Sequence, residues 1–149
     1  MLLLAAAAAA AAVAFVVVLN SGTGADSVVL RGELTLTDSS SVTGDADFCF
    51  GDPDSGYDDF GPGMDVTISN DRGEIIGSTN TVPLKSAEAG EAGFDLSGYD
   101  LTSGCTVVWA TKVPSDARFY VVKVGRRGEL SFSNAEMVEN DWKVASSLG

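Results

Sequence analysis

The sequence predicts an all-β fold, a single antiparallel β-sandwich of six or seven strands, preceded by an apolar transmembrane helix. Three observations predict it. Residues 1–19, MLLLAAAAAAAAVAFVVVL, carry no charged or polar side chain. Later stretches alternate apolar and polar residues with a period of two, the pattern of half-buried strands. Clusters of Gly, Pro, Asn and Asp separate those stretches at near-regular intervals, as in a sandwich.

A helix of the length of residues 1–19 spans about 28 Å, close to the hydrocarbon thickness of a bilayer. Eight alanines, Ala5 to Ala12, favour the helix and keep it only moderately hydrophobic. A helix apolar on every face needs a large protein around it, and roughly 130 further residues are too few to supply one. A cleaved signal peptide is the competing reading. It lacks the usual basic leader, because the first basic residue is Arg31, and Thr23-Gly24-Ala25 is a weak peptidase site. No Cys follows the apolar run, which excludes lipoprotein processing. A basic cytoplasmic segment would be expected ahead of Met1. The expected layout is therefore an anchor or signal segment over 1–19, a polar linker over 20–27 and an extracytoplasmic domain over 28–149. That places the chain in the cell membrane, single-pass with the C-terminal domain outside, or makes it secreted if the segment is removed.

The formal net charge is −12, and every charged side chain lies after the apolar stretch. This excludes nucleic acid and an anionic membrane surface as natural partners and suits an exported domain. The remaining partner is an unknown protein or cell-envelope ligand, with membrane contact through residues 1–19.

Val28 to Thr37 is the first strand, with Val28, Leu30, Gly32, Leu34 and Leu36 on one face. Asp38 to Gly63 reads as an irregular stretch crowded with turn formers, and Phe48 and Phe50 are expected to tuck inward around Cys49. Met64 to Asn70 and Glu74 to Asn80 form a hairpin across Asn70-Asp71-Arg72-Gly73. Thr81 to Gly104 is weakly patterned, with Leu84 and Phe94 as core contacts. Cys105 to Val113, Arg118 to Val124 and Glu129 to Ser133 are strands. The turns between them are Pro114 to Ala117 and a basic Gly125-Arg126-Arg127-Gly128. Ser133 and Glu136 have the spacing of a capping box ahead of a helical turn over 135–140. Trp142 to Ser146 closes the sheet as an edge strand.

Residues 38–65 hold eight aspartates and no basic residue. Asp52, Asp54, Asp58 and Asp59 are the candidate metal ligands. Closely spaced carboxylates suit a hard cation, and calcium is the one such a loop would take. The match to a calcium loop is incomplete, because Gly63 stands where the bidentate Glu would be needed. The alternative is that these aspartates cap turns and stay solvated, with no cofactor bound. An acid–base pair drawn from Asp58 or Asp59 with Asp52 or Asp54 lacks the aromatic cleft that glycosidase carboxylates occupy. The chain contains no His, which excludes a Ser-His-Asp or Cys-His centre and leaves zinc without ligands. No catalytic residue is assigned, and the expectation is a non-catalytic binding module. A calcium-dependent adhesion or sensor domain is the alternative, and an Asp-dependent wall enzyme comes after it. Arg126-Arg127, the only basic pair, would be a solvated turn or would contact a neighbouring copy's acidic loop or a charged wall polymer. Trp109 and Trp142 read as core aromatics.

Two cysteines, Cys49 and Cys105, remain. In an exported domain they are expected to pair, closing a loop worth about 4 kcal/mol by the chain-entropy relation. The alternative is two buried free thiols.

Cys49, Gly56-Tyr57-Asp58-Asp59-Phe60, Gly63-Met64-Asp65-Val66, Cys105 and Phe119-Tyr120-Val121-Val122-Lys123-Val124 with Arg127-Gly128 form a recognisable series. Over residues 28–149 the chain resembles a group of uncharacterised actinobacterial exported proteins. Those carry a membrane segment or lipoprotein signal, two cysteines around a Gly-Tyr-Asp-Asp motif and a closing Tyr-x-Val-x-Val-x-x-Arg-Gly strand. Phe60 stands where the group has an aliphatic residue. The resemblance implies export and a Cys49–Cys105 disulfide, and it implies no activity. A looser likeness is to prealbumin-type or immunoglobulin-like sandwiches, which speaks to fold alone.

Overall fold

The computed structural model describes residues 26–45, 47–94 and 104–149. The apolar stretch 1–19 and linker residues 20–25 lie outside the described residues. Among the described residues no helix is long and apolar enough to cross a membrane.

Ten strands occur in chain order among the described residues: β1 (Ser27–Leu36), β2 (Val42–Gly44), β3 (Cys49–Gly51), β4 (Asp65–Ser69), β5 (Ile75–Asn80), β6 (Val82–Pro83), β7 (Cys105–Pro114), β8 (Phe119–Val124), β9 (Glu129–Ser133) and β10 (Lys143–Leu148). Two short helices accompany them, α1 (Ala87–Glu91) and α2 (Asn134–Glu139). Seven of the strands are those the alternation and the intervening turns predict, shifted by a residue or two at their ends. The further three, β2, β3 and β6, are two or three residues long, too short for a period of two to register. Ser27, read above as the end of the linker, already pairs with Pro114.

The strands form two four-stranded sheets and a small β2–β3 hairpin. One sheet has the order β10-β1-β7-β6 and the other β5-β4-β8-β9. The second is antiparallel throughout, as expected. In the first, β1 runs antiparallel to β7 but parallel to β10, with Arg31 opposite Lys143 and Leu36 opposite Leu148. The wholly antiparallel expectation fails at this one pairing. A hairpin forces its strands antiparallel, but β10 leaves β9 of the other sheet and arrives through α2, so no turn dictates its direction.

The inner faces of both sheets share one core. Leu30, Leu34, Leu36, Val107, Trp109 and Val113 enter it from the first sheet, and Val66, Ile68, Tyr120, Val122 and Val124 from the second. Alternation along β1 places Leu30, Gly32, Leu34 and Leu36 inward, as predicted. Gly32 sits directly across from Trp109, whose indole takes the space a side chain there would need. On the outer face of β7, Val108 packs under Leu84 and Ala89 of the β6–α1 segment. The β4–β5 hairpin turns at Gly73, which adopts a φ of +77°, a conformation that favours glycine.

The two long sides of the sandwich differ. On one, β5 crosses close to β7, where Thr111 Oγ1 donates to the Ser78 carbonyl at 3.3 Å and Gly77 faces Val113. On the other lie β9 and β10, each paired on one side only among the described residues. The helix α2 bridges them at one end. Its capping box forms as predicted, with Ser133 Oγ accepting from Glu136 N and the Glu136 carboxylate accepting from Ser133 N at 2.7 Å.

Cys49 and Cys105 are bonded, with Cα atoms 5.7 Å apart. The bond ties the β2–β3 hairpin and its acidic surroundings to β7. Because Cys49 points inward to its partner, its strand neighbours point the other way. Phe48 is accordingly 53% exposed and Phe50 half-buried, the two rings meeting edge-on at 6.1 Å. The inward place expected for them is filled by Phe60, which is 2% exposed.

Candidate functional site

The acidic stretch is held by its own aspartates. Asp38 accepts from Ser40 and Ser41, and these bonds, the Ser40 hydroxyl's first, hold its carboxyl below the usual range. Asp45 accepts from the backbone N–H groups of Phe48 and Asp47, which lower it in the same way. Asp52 accepts from Asp54 N at 2.8 Å through one oxygen and from Thr43 Oγ1 at 3.2 Å through the other. Such bonds are what Asp supplies in turns. Of the four nominated ligands, Asp54 and Asp58 are exposed, Asp52 is engaged as a turn cap, and Asp59 faces away to the basic turn. Among the described residues no three carboxylate or cysteine groups converge as a metal site would require.

The basic turn is solvated only in part: Arg126 is exposed, as expected of a solvated turn, while Arg127 is half-buried. Gly125 takes a φ of +57°, its N–H donating to the Asp65 carbonyl at 2.7 Å, and Arg127 N donates to Val124 O at 3.1 Å. This folds Arg127 back onto the acidic loop of its own chain. Its guanidinium bonds Asp59 Oδ1 and lies 5.1 Å from the centre of the Tyr57 ring, while Arg126 Nε stands 3.6 Å from Asp59 Oδ2. An arginine suits this place because its planar fork can pair and stack at once. Arg127 Nε is buried and has no hydrogen-bond partner among the described residues.

Arg127 also lines a cleft of about 170 Å³ on the open side of the sandwich. Leu34, Trp109 and Val122 contribute core side chains to it, Leu130 comes from β9, and Val144 and Leu148 from β10. Leu130 is 43% exposed although its strand neighbour Val122 is buried. The cleft is mostly apolar, with Glu33, Glu129, Ser146, Ser147 and the arginine as its polar side chains. Larger hollows lie elsewhere and are more polar, such as the one between the Asn70–Glu74 turn and Asp116–Arg118. Little in the sequence discloses the cleft. Its one legible trace is the apolar pair Leu130 and Phe132 on a short strand, and nothing in the pattern says that β9 lacks a second neighbour among the described residues.

Tyr120, from the closing strand motif, is buried and donates to the Pro114 carbonyl at 2.7 Å, and burial pushes its hydroxyl up from its ordinary value. It meets Trp142 edge-on at 5.4 Å. Trp109 is a core aromatic, as expected, and Trp142 is half-buried against the core.

The chain matches no known protein family, no curated protein and no solved structure.

Proposed function

We propose that this chain is an extracytoplasmic, non-catalytic binding module, tethered to a membrane by residues 1–19 or secreted after their removal. The observation that carries the reading is the Cys49–Cys105 bond. Such bonds persist in oxidising compartments and are rare in reducing ones. The uncharged apolar stretch at 1–19 supplies a route across the membrane, and the net charge of −12 suits a domain that stays soluble beyond it. The cleft between β9 and β10 is a place on the domain fitted to hold a ligand, because half-exposed Leu130 opens onto a mostly apolar lining there.

Expression with a C-terminal epitope, followed by protease treatment of intact cells and non-reducing mass spectrometry, tests the reading. The expected result is an external, protease-accessible domain whose mass is two hydrogen atoms below that of the dithiol. A cytosolic species with two alkylatable thiols overturns it.

A further inference from the structure

Of the four outer strands in the two large sheets, two are guarded. β6 is only two residues long and contains Pro83, and β5 is closed off against β7. Short length, proline and cover are the ordinary means of keeping a sheet edge from pairing with another chain. Among the described residues β9 and β10 use none of them. The interior of β9, Leu130-Ser131-Phe132, and that of β10, Val144-Ala145-Ser146-Ser147, hold no charge and no proline. The two edges flank the apolar cleft, and the Arg127 side chain lines one end of it.

We propose that the cleft takes an extended peptide segment of a partner protein, added as a strand to the free edge of β10. Backbone hydrogen bonds along β10 supply affinity, and one bulky apolar side chain seats against Trp109 and Leu130. About 170 Å³ fits one such side chain, since a cavity of similar size holds a benzene ring. Net charge selects the partner. A chain of −12, with Glu129 at the rim, attracts a segment flanked by Lys or Arg and repels a second copy of itself. This inference rests on the binding-module reading for its biological setting, but the binding itself does not depend on where the chain is located.

The test uses the full chain in lipid nanodiscs and a fluorescein-labelled, capped heptapeptide, Lys-Val-Thr-Phe-Thr-Val-Lys, followed by anisotropy. Binding is expected with a Kd on the order of 10 µM, as a single short strand with one anchor allows. Replacing the peptide's phenylalanine by alanine, or N-methylating its central amides, weakens binding at least tenfold. So does Leu130→Glu, at a half-exposed position, although its added negative charge favours the lysines. The melting temperature of that variant is measured alongside, and the two altered peptides test the same point on the unaltered protein. Equal affinity for the alanine or N-methylated peptide, which would mean attraction by charge alone, overturns the proposal. Unchanged binding by a folded Leu130→Glu variant overturns it as well, as does concentration-dependent dimerisation that excludes the peptide. A cytosolic location would remove the export reading and leave this titration standing.

Discussion

Gly32 shows how one residue's meaning depends on its cross-strand partner. In the sequence it is merely an inward position of an alternating strand. In the fold it stands opposite Trp109, and a Cβ placed on it would lie 2.1 Å from indole carbons Cε2 and Cζ2. A core indole cannot yield that distance without leaving its rotamer, and overpacking of this kind costs about 1–3 kcal/mol. Gly32→Ala is therefore expected to lower the unfolding free energy by about that amount in urea melts, and to alter tryptophan emission in the native state. Gly90, in α1, has nothing within 4 Å of the same virtual atom. Gly90→Ala is expected to be neutral or stabilising by about 0.5–1 kcal/mol, because alanine loses less entropy in a helix. Equal destabilisation by the two substitutions would remove the steric argument. The Arg127–Asp59 contact belongs to the same scale. It joins residues far apart in sequence, and neither carries a local pattern that names the other.

Among the elements, those whose cause is local were legible and those whose cause is long-range were not. Alternation located β1, β4, β7 and β8, the turns between segments located β5, β9 and β10, and the Ser133–Glu136 spacing located α2, because each signal lies within a dozen residues. The direction of β10, the β2–β3 hairpin and the cleft depend on which strands become neighbours, which a period of two does not encode. The same distinction separates the acidic loop's expected role from its observed one. Carboxylate density was visible, but the donors that occupy Asp52 and Asp59 were not. The cap of α2 yields a pH prediction. Hydrogen bonds from the Ser133 backbone, then from its hydroxyl, hold the Glu136 carboxyl below its ordinary value of 4.5. A carboxylate lowered by folding contributes stability that is full above its unfolded value and lost as pH falls through the folded one. Glu136→Gln should thus lower the melting temperature at pH 7, and its gap from the parent chain should close as pH falls below 4.5. A gap that stays constant down to pH 3 would show that the side chain acts by shape rather than charge.

For the molecule as a whole, two electrostatic effects of opposite sign compete. Among the described residues the ion pairs include Arg72–Glu74 at 2.9 Å, Lys85–Asp47 at 2.9 Å and Lys143–Asp141 at 3.7 Å, all well exposed. Exposed pairs contribute about 0–1 kcal/mol each, and salt weakens them. Against them stand 21 acidic and 9 basic residues, a surplus of 21 − 9 = 12 negative charges on one small domain, whose mutual repulsion salt relieves. The screening length falls from about 30 Å at 0.01 M to about 8 Å at 0.15 M, from domain size to side-chain size. Repulsion among the surplus charges acts over many distances and is removed over that range, while the close pairs lose little. The melting temperature is therefore expected to rise by several degrees between 10 and 300 mM sodium chloride. At matched ionic strength calcium chloride should add no more than sodium chloride. Asp59 is already paired with Arg127, and Asp52 already accepts from Thr43 and the Asp54 backbone, so only exposed Asp54 and Asp58 stand uncommitted and a divalent ion would have to displace bonds to recruit the other two. A fall in the melting temperature with sodium chloride would mean that the pairs outweigh the surplus. A larger rise with calcium, abolished by Asp54→Asn or Asp58→Asn, would instead make Asp52, Asp54, Asp58 and Asp59 a cation site that forms on binding.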